Sequence, residues 1–260
     1  MSDSRIPAPL TALVDRAGSA GIFCDFDGCL SPIVPDPDDA RAVRGGPSVL
    51  ARLARRFAVV GVVSGRSVAD LARRMRAPGV RLIGLHGMEE LRDGSVTVVP
   101  EAEAARSAIE RAGDGLARSL RGVRGALLER KGLALAVHFR RAADPDEAER
   151  IATPLVIEVA EGAGLVVVPG RRILEVRPRD AGNKGVAVRK LIEEHRLTAG
   201  LTAGDDVGDL PAFAALDGLD VAVRVAVASP ESPPELSERA DVVIDSPQEF
   251  VRLLRRLNPR

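Results

Sequence analysis

Short runs of apolar residues without polar alternation recur along the 260-residue chain. Such runs are typical of strands covered on both faces, because a half-exposed strand alternates apolar and polar positions. Segments with helical spacing lie between them, as in PSVLARLARRF, where Val49, Leu50, Leu53 and Phe57 share one face. This repeated strand–helix order favours a parallel sheet and an α/β fold. The runs in question are GIFCDF, AVVGVVSG, RLIGLHG, AGLTAGDD and ADVVID.

The middle of the chain has a different pattern. EAEAARSAIERAGDGLARSL predicts a long helix, and GALLERKGLALAVHFR predicts two strands around a Lys131–Gly132 turn. DPDEAERIATPLVIEVAEGAG predicts a second helix, and LVVVPGRRILEVRP predicts another strand pair that turns at Pro169–Gly170. The interpretation is an α+β cap domain at 102–171, inserted into a core formed by 1–101 and 172–260.

Charge and aromatic content argue against polyanionic partners. The 37 basic and 37 acidic residues cancel, so the chain has no net attraction for nucleic acid or an anionic membrane surface. Tyr and Trp are absent and Phe occurs 6 times, which leaves few rings on which bases could stack. We therefore expect a small-molecule partner, no nucleic acid and no membrane. We also expect the chain to act as a monomer, although charge and composition do not determine the oligomeric state.

Cysteine usage and the N-terminus favour a cytoplasmic location. The two cysteines, Cys24 and Cys29, lie in one motif and indicate reduced thiols rather than a disulfide framework. The opening MSDSRIPAPL has no basic segment followed by an apolar one, so we expect no signal peptide. No uninterrupted apolar stretch reaches the length of about 18 residues that a membrane span needs.

Acidic residues stand where predicted strands end. Asp25 and Asp27 follow the first run, with Gly28 allowing the chain to turn away, and Asp205 and Asp206 follow a later one. Ligands of open parallel sheets bind at the carboxyl ends of the strands, so these acids are expected to share one crevice. A cation would offset their repulsion. Mg²⁺ is the expected cofactor, because it takes hard oxygen ligands from a few carboxylates and completes its shell with water and phosphate oxygens.

Two further strand ends carry phosphate-binding groups. VVSGR places Ser64, Gly65 and Arg66 just before a helix, where a hydroxyl and free backbone N–H groups bind phosphate. GNKG places Lys184 in the first turn of another helix, where its ammonium can neutralise phosphate and carboxylate charge. A carboxylate nucleophile, an acid/base group, a metal, a hydroxyl and a lysine together suit phosphoryl transfer through an aspartyl-phosphate.

These motifs carry a resemblance to known phosphatases. Asp25-x-Asp27-Gly28, Ser64, Lys184 and Gly204-Asp205-Asp206-x-x-Asp209 stand in the order typical of the haloacid dehalogenase superfamily. Within it, the chain resembles the trehalose-6-phosphate phosphatases over residues 25–213. The resembling stretches are DFDGCLSPIV, VVSGR, GLHGMEE, ERKGLALAVHFR, ILEVRP, NKG and GDDVGDLPAF.

The resemblance implies a fold and an activity. The fold would be a Rossmann-like parallel-sheet hydrolase core with the inserted α+β cap. The activity would be the Mg²⁺-dependent hydrolysis of trehalose 6-phosphate to trehalose and phosphate, a step of trehalose biosynthesis. A cap that closes on the sugar would exclude water from the first chemical step and reopen to release the product.

Each catalytic role is implied by a match to the family's motifs. Asp25 would attack phosphorus and bind Mg²⁺. Asp27 would protonate the leaving sugar oxygen, then activate water, and its backbone carbonyl would bind the metal. Asp205 would be the third metal ligand. The family also implies supporting residues: Asp206 and Asp209 would orient water or the lysine, and Ser64 and Lys184 would hold the phosphoryl oxygens.

Six further residues match positions that face the substrate in the family. In the core these are Arg66 and His86; in the cap they are Glu129, Lys131, Arg140 and Glu175. Other interpretations stay open. His86 could be a hydrogen-bonded structural residue, Asp206 and Asp209 could cap the next helix, and the charges of the cap could mark a solvated face.

The sequence departs from the family at a few positions. Cys29 stands where the family usually has Thr, so we expect its backbone N–H to make the phosphate contact, because a thiol is a poor donor. Gly208, Leu210 and Pro211 stand where Thr and acidic residues are usual, which would alter the surroundings of the metal ligands but not the ligands themselves.

Two other functions compete with this interpretation. The same chemistry could act on another phosphosugar, such as a glucosyl- or mannosyl-phosphoglycerate, although its extra carboxylate would call for more Arg and Lys than the cap offers. A phospho-accepting regulatory module also uses strand-end acids, a hydroxyl and a lysine. Such modules are about half this length, lack a cap and hold a long-lived phospho-aspartate, whereas Asp27 supplies a base that would discharge it. An Asp27→Asn variant that accumulates phosphoenzyme would separate the two.

Overall fold

The computed structural model describes residues 8–92, 94–229 and 232–257. The prediction that the chain has no signal peptide was based on residues 1–10, and most of these lie outside the described residues. Among the described helices, none combines the length and apolar composition of a membrane span. The helices are α1 Ala8–Asp15, α2 Gly46–Leu53, α3 Val68–Arg74, α4 Pro100–Ala104, α5 Arg106–Ser119, α6 Pro145–Gly162, α7 Lys184–His195, α8 Leu210–Ala214, α9 Pro234–Glu238 and α10 Pro247–Arg256. The strands are β1 Ala20–Cys24, β2 Val59–Val63, β3 Arg81–Gly84, β4 Glu89–Arg92, β5 Ser95–Val98, β6 Leu127–Arg130, β7 Leu135–His138, β8 Leu165–Gly170, β9 Ile173–Pro178, β10 Ala199–Gly204, β11 Val221–Val227 and β12 Val242–Ile244.

The larger sheet has eight strands in the order β12-β11-β10-β1-β2-β3-β4-β5. Every neighbouring pair from β12 to β3 is parallel, and β4 returns antiparallel to β3. Strand β1 lies between β10 and β2, with Cys24 level with Ala203 on one side and Val62 on the other. The carboxyl ends of three strands therefore meet at one edge of the sheet.

Both faces of this sheet are covered, as the unalternated apolar runs predict. Ile22 and Cys24 of β1 point into a core with α1, α2, α3 and α10, whereas Phe23, between them, packs with α7 and α8 on the other face. All five residues of β1 are buried. Every side chain of such a strand leaves water on folding, and each large one contributes roughly 1.5–3 kcal/mol. The predicted α/β fold is confirmed.

The smaller sheet is antiparallel, with the order β6-β7-β9-β8. One face packs on α5 and α6 through apolar residues such as Val137, Val176 and Val156. The second hairpin turns at Arg171–Arg172 and not at Pro169–Gly170 as predicted, because Gly170 still pairs with Ile173 and Arg172 takes the left-handed conformation with φ 60°. Pro169 is tolerated there because β8 is an edge strand.

The chain forms two compact units. One consists of Pro35–Asp39 and Val96–Gly182, and the other holds the remaining described residues. The first of these contains the smaller sheet, including Ile173–Pro178, because β9 pairs with both β7 and β8. This unit extends past the predicted limits of 102 and 171. Those limits, as boundaries of a cap domain, stay a prediction.

Candidate active site

Three buried carboxylates meet where β1 and β10 end. Asp25, Asp205 and Asp209, which we call the acid cluster, each place an oxygen within 4.8 Å of the others. Their exposed fractions are 9%, 5% and 2%. The backbone explains the approach, since the Asp25 N–H donates to the Ala203 carbonyl at 3.1 Å and continues the parallel ladder. The acids at positions 25 and 205 thus lie together, as strand-end acids of one sheet edge should.

A buried lysine holds two members of the acid cluster. Lys184 Nζ donates to Asp25 Oδ2 and to Asp209 Oδ1, both at 2.6 Å. The lysine is 4% exposed and is the first residue of α7. Asn183 caps that helix by accepting a hydrogen bond from the Val186 N–H at 3.1 Å, which sets where the helix begins and hence where the lysine points.

Burial and charge oppose each other at this pair. Burial raises the pKa of Asp25 to about 7, although the ammonium of Lys184 lowers it. Burial alone would lower the pKa of Lys184, but the carboxylates of Asp209 and Asp25 raise it well above its ordinary value. The lysine is therefore charged at neutral pH. When the three carboxylates are ionised, they exceed this one ammonium by two negative charges, which a divalent cation would neutralise.

Backbone amides orient the third carboxylate. Asp209 Oδ2 accepts hydrogen bonds from the Asp205 N–H at 3.0 Å and the Asp206 N–H at 3.3 Å. A Cβ on Gly204 would lie 2.2 Å from Asp209 Cβ, so only glycine lets the strand end approach so closely. Asp206 instead caps the next turn, where its side chain accepts the Val207 N–H at 2.6 Å.

Gly28 shapes the space beside Asp205. Its φ of +74° suits glycine, and a Cβ there would lie 2.0 Å from Asp205 Cγ. Its N–H donates to the Ser31 carbonyl at 2.8 Å, which closes the turn after β1. The carboxylate of Asp205 can approach the backbone this closely only because Gly28 has no Cβ, and the hard oxygen donors of the acid cluster fit Mg²⁺. Asp25 and Asp205 are the predicted side-chain ligands, and Asp209 adds a third oxygen within reach.

Asp27 does not belong to the acid cluster in the structure. Its carboxylate accepts two hydrogen bonds from Arg66, from Nε at 2.6 Å and from Nη2 at 2.9 Å. The side chain of Asp27 is 31% exposed, against 13% for Arg66. The predicted metal contact of Asp27 was through its backbone carbonyl and stays a prediction, as does a direct substrate contact of Arg66.

The loop after β2 is tied to the loop after β3. Ser64 is 1% exposed, and its Oγ accepts the Arg66 N–H at 3.3 Å. The His86 N–H donates to the Ser64 carbonyl and the Leu85 N–H to the Arg66 carbonyl, both at 2.9 Å. Leu85 and His86 have φ of 49° and 60°. Two consecutive left-handed residues other than glycine cost roughly 1–3 kcal/mol each, which the surrounding hydrogen bonds must offset.

Cys29 lies beneath this edge as a buried thiol. Burial raises its pKa well above the ordinary value, and the nearby carboxylates of Asp205 and Asp209 add to the shift. The side chain is fully buried and belongs to the apolar core on one face of the larger sheet. Within the described part of the chain, its backbone N–H has no hydrogen-bond partner. This donor follows Gly28 directly, and its contact with phosphate stays a prediction.

The smaller sheet brings three of the predicted sugar-binding residues together. Lys131 Nζ lies 3.0 Å from Glu175 Oε1 and 4.0 Å from Glu129 Oε2. Lys131 and Glu175 are 10% and 12% exposed, and Glu129 is 45% exposed. Arg140 follows β7 and is partly buried. Their contacts with a sugar stay a prediction.

Three residues that the sequence interpretation left out contact these groups. His138 Nε2 lies 2.7 Å from Glu129 Oε2, Ser232 Oγ donates to the Asp205 carbonyl at 3.0 Å, and Asp70 Oδ2 accepts from Arg66 Nη1 at 2.8 Å. A sequence signal existed for Asp70, because it stands four residues after Arg66 and three after Ser67, the helix N-cap. The contact of Ser232 spans 27 residues and has no local signal.

Comparison with known proteins assigns the chain to a group of relatives. A model of the trehalose-phosphatase family matches residues 23–241. A trehalose-phosphate phosphatase of Mycobacterium avium is 37% identical over 226 residues, which cover 83% of this chain and 57% of the relative. An uncharacterised glycosyl hydrolase of Mycobacterium tuberculosis is 38% identical over 213 residues, 78% of this chain and 16% of the relative. The chain thus spans little more than half, or less, of the relatives it matches.

A solved structure shares the architecture over nearly the whole chain. The C-terminal domain of trehalose-6-phosphate phosphatase from Candida albicans superimposes with a TM-score of 0.78 at 26% identity. The match covers 97% of this chain and 96% of that domain. The two proteins therefore share their architecture over most of both chains.

Proposed function

The chain belongs to the trehalose-phosphatase family, and from that premise we propose that it hydrolyses trehalose 6-phosphate to trehalose and phosphate. The observation that supports this best is the contact of Lys184 with Asp25 within a cluster of three buried carboxylates. That arrangement has a nucleophile, a fixed cation and an excess of negative charge at a strand edge. The nucleophile and the excess of negative charge, which a metal ion would offset, suit a metal-assisted phosphoryl transfer. The fixed cation suits binding of the phosphoryl oxygens.

Asp25 is the proposed nucleophile. One of its carboxylate oxygens forms a bond to phosphorus, the bond from phosphorus to the sugar oxygen breaks, and that oxygen takes a proton from Asp27. In the second step, water gives its proton to Asp27 and attacks phosphorus, which releases phosphate and restores Asp25. Asp25 Oδ1 accepts the Phe26 N–H at 2.6 Å, and this contact, with that of Lys184, fixes the attacking group.

Mg²⁺ is the proposed cofactor, held by Asp25, Asp205 and the backbone carbonyl of Asp27, with Asp209 beside it. When bound, the ion favours the charged form of Asp25 and stabilises negative charge on the transferred group. Burial raises the pKa of Asp25 to about 7, so a bound cation would increase the fraction of Asp25 present as the carboxylate that attacks phosphorus. Asp206 and Asp209 are proposed to orient water or Lys184. Their carboxylates accept hydrogen bonds from backbone amides of the turn after β10.

The proposed phosphate contacts come from three groups. Lys184 neutralises the phosphoryl charge, the hydroxyl of Ser64 donates to a phosphoryl oxygen, and the amide of Cys29 does the same. The Ser64 hydroxyl already accepts from the Arg66 N–H, so its own hydrogen is available to donate. A backbone donor in place of a side-chain hydroxyl explains how Cys29 fits at this position.

We extend the proposal to the sugar-binding residues. Glu129, Lys131, Arg140 and Glu175 of the smaller unit, and Arg66 and His86 of the larger, are proposed to contact the substrate. Lys131 lies between the carboxylates of Glu129 and Glu175. Hydrogen bonds from sugar hydroxyls would replace part of these existing contacts. A sugar that leaves Lys131 or Glu175, which are largely buried, without a partner forfeits roughly 1–3 kcal/mol, which is a source of selectivity.

The other parts of the proposal concern the setting. We place the chain in the cytoplasm, because Cys24 and Cys29 are free thiols, and we take it to act as a monomer on a small phosphosugar.

Phosphate release from a panel of phosphosugars tests the proposal. We expect trehalose 6-phosphate to be turned over far faster than glucose 6-phosphate or a glucosyl-phosphoglycerate, only when Mg²⁺ is present, and not by an Asp25→Asn variant. Asp245→Asn is the matched control, since Asp245 also follows a parallel strand but is exposed and lies outside the acid cluster. Equal turnover of glucose 6-phosphate would defeat the substrate proposal, and an active Asp25→Asn variant would defeat the mechanism.

A further inference from the structure

Asp70 is a carboxylate that the reaction scheme above does not use, although it lies next to the site. It stands in the first turn of α3, and its side chain is 15% exposed. Asp70 Oδ2 accepts a hydrogen bond from Arg66 Nη1 at 2.8 Å. Arg66 therefore contacts both Asp70 and Asp27.

The guanidinium of Arg66 has partners on two of its edges and on one face. Its Nε and Nη2 each donate a hydrogen bond to one oxygen of Asp27, and Nη1 donates to Asp70. The guanidinium lies over the ring of Phe26, with 5.6 Å from Cζ to the ring centroid. A planar group bound in this way has one orientation, and a forked pair places a carboxylate more closely than a single hydrogen bond does. Loss of the Asp70 contact would remove the hydrogen bond of Nη1, while those of Nε and Nη2 with Asp27 remain.

Asp70 is itself anchored from several sides. Its N–H donates to Ser67 Oγ at 3.2 Å, and its carboxylate accepts from Arg74 Nε at 2.7 Å and Arg73 Nη2 at 2.9 Å. Arg74 in turn donates to the carbonyl of Ala40 at 2.8 Å. Arg74 is 8% exposed, whereas Arg73 is 72% exposed and makes a surface contact. The anchor is thus part of the folded framework.

We propose that Asp70 is a positioning residue for the acid/base step: through Arg66 it holds the carboxylate of Asp27 where the leaving oxygen must receive its proton. The inference rests on the proposed function of Asp27. A general acid works only within hydrogen-bond reach of its target, and the neighbours that orient it are part of that precision. Asp70 touches no reacting atom and acts by fixing the orientation of Arg66.

A dependence on the leaving group separates positioning from a merely structural role. Trehalose 6-phosphate has an alkoxide leaving group that must be protonated, whereas p-nitrophenyl phosphate releases a stable phenolate that needs no proton. kcat/KM reports the steps up to formation of the phosphoenzyme, so it isolates this proton transfer. We expect Asp70→Ala to lower kcat/KM for trehalose 6-phosphate by about tenfold or more, and that for p-nitrophenyl phosphate by less than about threefold.

Two variants serve as matched comparisons. Asp70→Asn keeps an acceptor for Arg66 and should retain more of the activity on the sugar phosphate than Asp70→Ala does. Arg73→Ala removes the exposed partner of Asp70, leaves Arg66 in place, and should keep the ratio of the two kcat/KM values unchanged. An equal loss on both substrates in Asp70→Ala would overturn the proposal, because a smaller folded fraction lowers both alike.

A measurement of stability tests the coupling of Asp70 to Asp27 independently of the proposed phosphatase activity. Unfolding free energies of Asp27→Asn, Asp70→Asn and the double variant form a cycle, repeated in an Arg66→Ala background. We expect the two changes to be non-additive with Arg66 present and additive without it. Additivity in both backgrounds would refute the coupling, whatever the substrate proves to be. If the wild type ignores trehalose 6-phosphate, the substrate proposal fails, and the kinetic comparison uses the sugar phosphate that the panel identifies.

Discussion

Gly28 shows how a single residue type decides whether the candidate site can exist. The turn after β1 needs a positive φ, and the same residue leaves no room for a Cβ beside Asp205. These are separate constraints, one from the backbone and one from a carboxylate 177 positions away in the sequence. The DxDG pattern indicated the first, and only the folded structure revealed the second.

A Gly28→Ala substitution should therefore damage the site more than the fold. The left-handed φ alone costs an alanine about 1 kcal/mol, and the clash with Asp205 must in addition displace a proposed metal ligand. We expect the loss of most Mg²⁺-dependent phosphatase activity, measured as kcat at saturating Mg²⁺, with a reduced affinity for the ion.

Gly218→Ala is the control for Gly28→Ala. Gly218 has a φ of +92° and nothing within 4 Å of an added Cβ, so it reports the backbone cost alone. We expect it to lower the free energy of unfolding slightly and to leave kcat unchanged. A Gly28→Ala variant that behaves like Gly218→Ala would contradict the steric argument.

The lowered pKa of Asp70 predicts that the stability of the fold depends on pH. Burial alone would raise its pKa, but hydrogen bonds from Arg74 and Arg66 outweigh burial and lower the pKa to about 2. A carboxyl with a lowered folded-state pKa stabilises the fold above its unfolded value of 3.8, and this contribution is lost as the pH falls towards 2. Solvent screening reduces the contribution, which we put at about 1 kcal/mol.

The measurement for Asp70 is a comparison of unfolding free energies of the wild type and Asp70→Asn from pH 7 to pH 2. The advantage of the wild type should be constant above about pH 5 and shrink below it. An advantage that persists undiminished at pH 2 would show that the ionised form of Asp70 contributes nothing to stability.

At the scale of elements, strand register determines which side chains meet. β1 and β10 pair in parallel with Cys24 level with Ala203, so the residues that follow both strands emerge at one edge. The apolar runs predicted β1, β2, β3, β10 and β12, but the sequence interpretation missed β11, Val221–Val227. Its Val/Ala alternation around Arg224 was not recognised, although β11 pairs with β10 over six residues. It also missed the β4 and β5 strands, whose polar residues suit a sheet margin.

Helix α6 contains an element-scale defect that can be tested. Pro154 stands inside this 18-residue helix, removes a backbone donor and crowds the carbonyl of Arg150. We expect Pro154→Ala to stabilise the chain by about 1–3 kcal/mol, seen as a higher midpoint of thermal and urea unfolding. Pro145→Ala, at the first position of the same helix, is the control and should bring no gain, because no donor is missing there. A Pro154→Ala variant without added stability would mean that the helix bends to accommodate the ring.

At the scale of the whole molecule, the chain forms two units with separate apolar cores. Each carries its own group of charged candidate residues. The larger unit has the acid cluster with Lys184, and the smaller has Glu129, Lys131 and Glu175 on one face of its sheet. The proposed function assigns the phosphoryl chemistry to the first group and most of the sugar contacts to the second.

Ion binding should stabilise the whole chain. Mg²⁺ at the acid cluster would bind the folded state alone, because the unfolded chain does not bring Asp25 and Asp205 together. At a concentration about 100 times the dissociation constant, the gain is roughly 2.7 kcal/mol. We expect the thermal midpoint to rise with Mg²⁺ in the wild type and in Asp245→Asn, and to rise little in Asp205→Asn. A midpoint that ignores Mg²⁺ in the wild type would contradict the metal site.

Sequence alone was enough to predict the α/β core, the positions of most central strands, and the acids and glycine at their ends. It could do so because these features depend on local patterns: apolar runs, helix caps, and the general rule that parallel strands end at a common edge. Asp25, Asp205, Ser64 and Lys184 were named on those grounds.

Only the tertiary structure decided how the charged side chains pair. It placed Asp209 in the acid cluster, turned the carboxylate of Asp27 towards Arg66, and fixed Arg66 through Asp70. The contact of Lys184 with Asp25 spans 159 positions. Such pairing depends on register, burial and rotamers set by packing across the whole core. No local pattern contains that information, since an exposed and a buried carboxylate are the same letter in the chain.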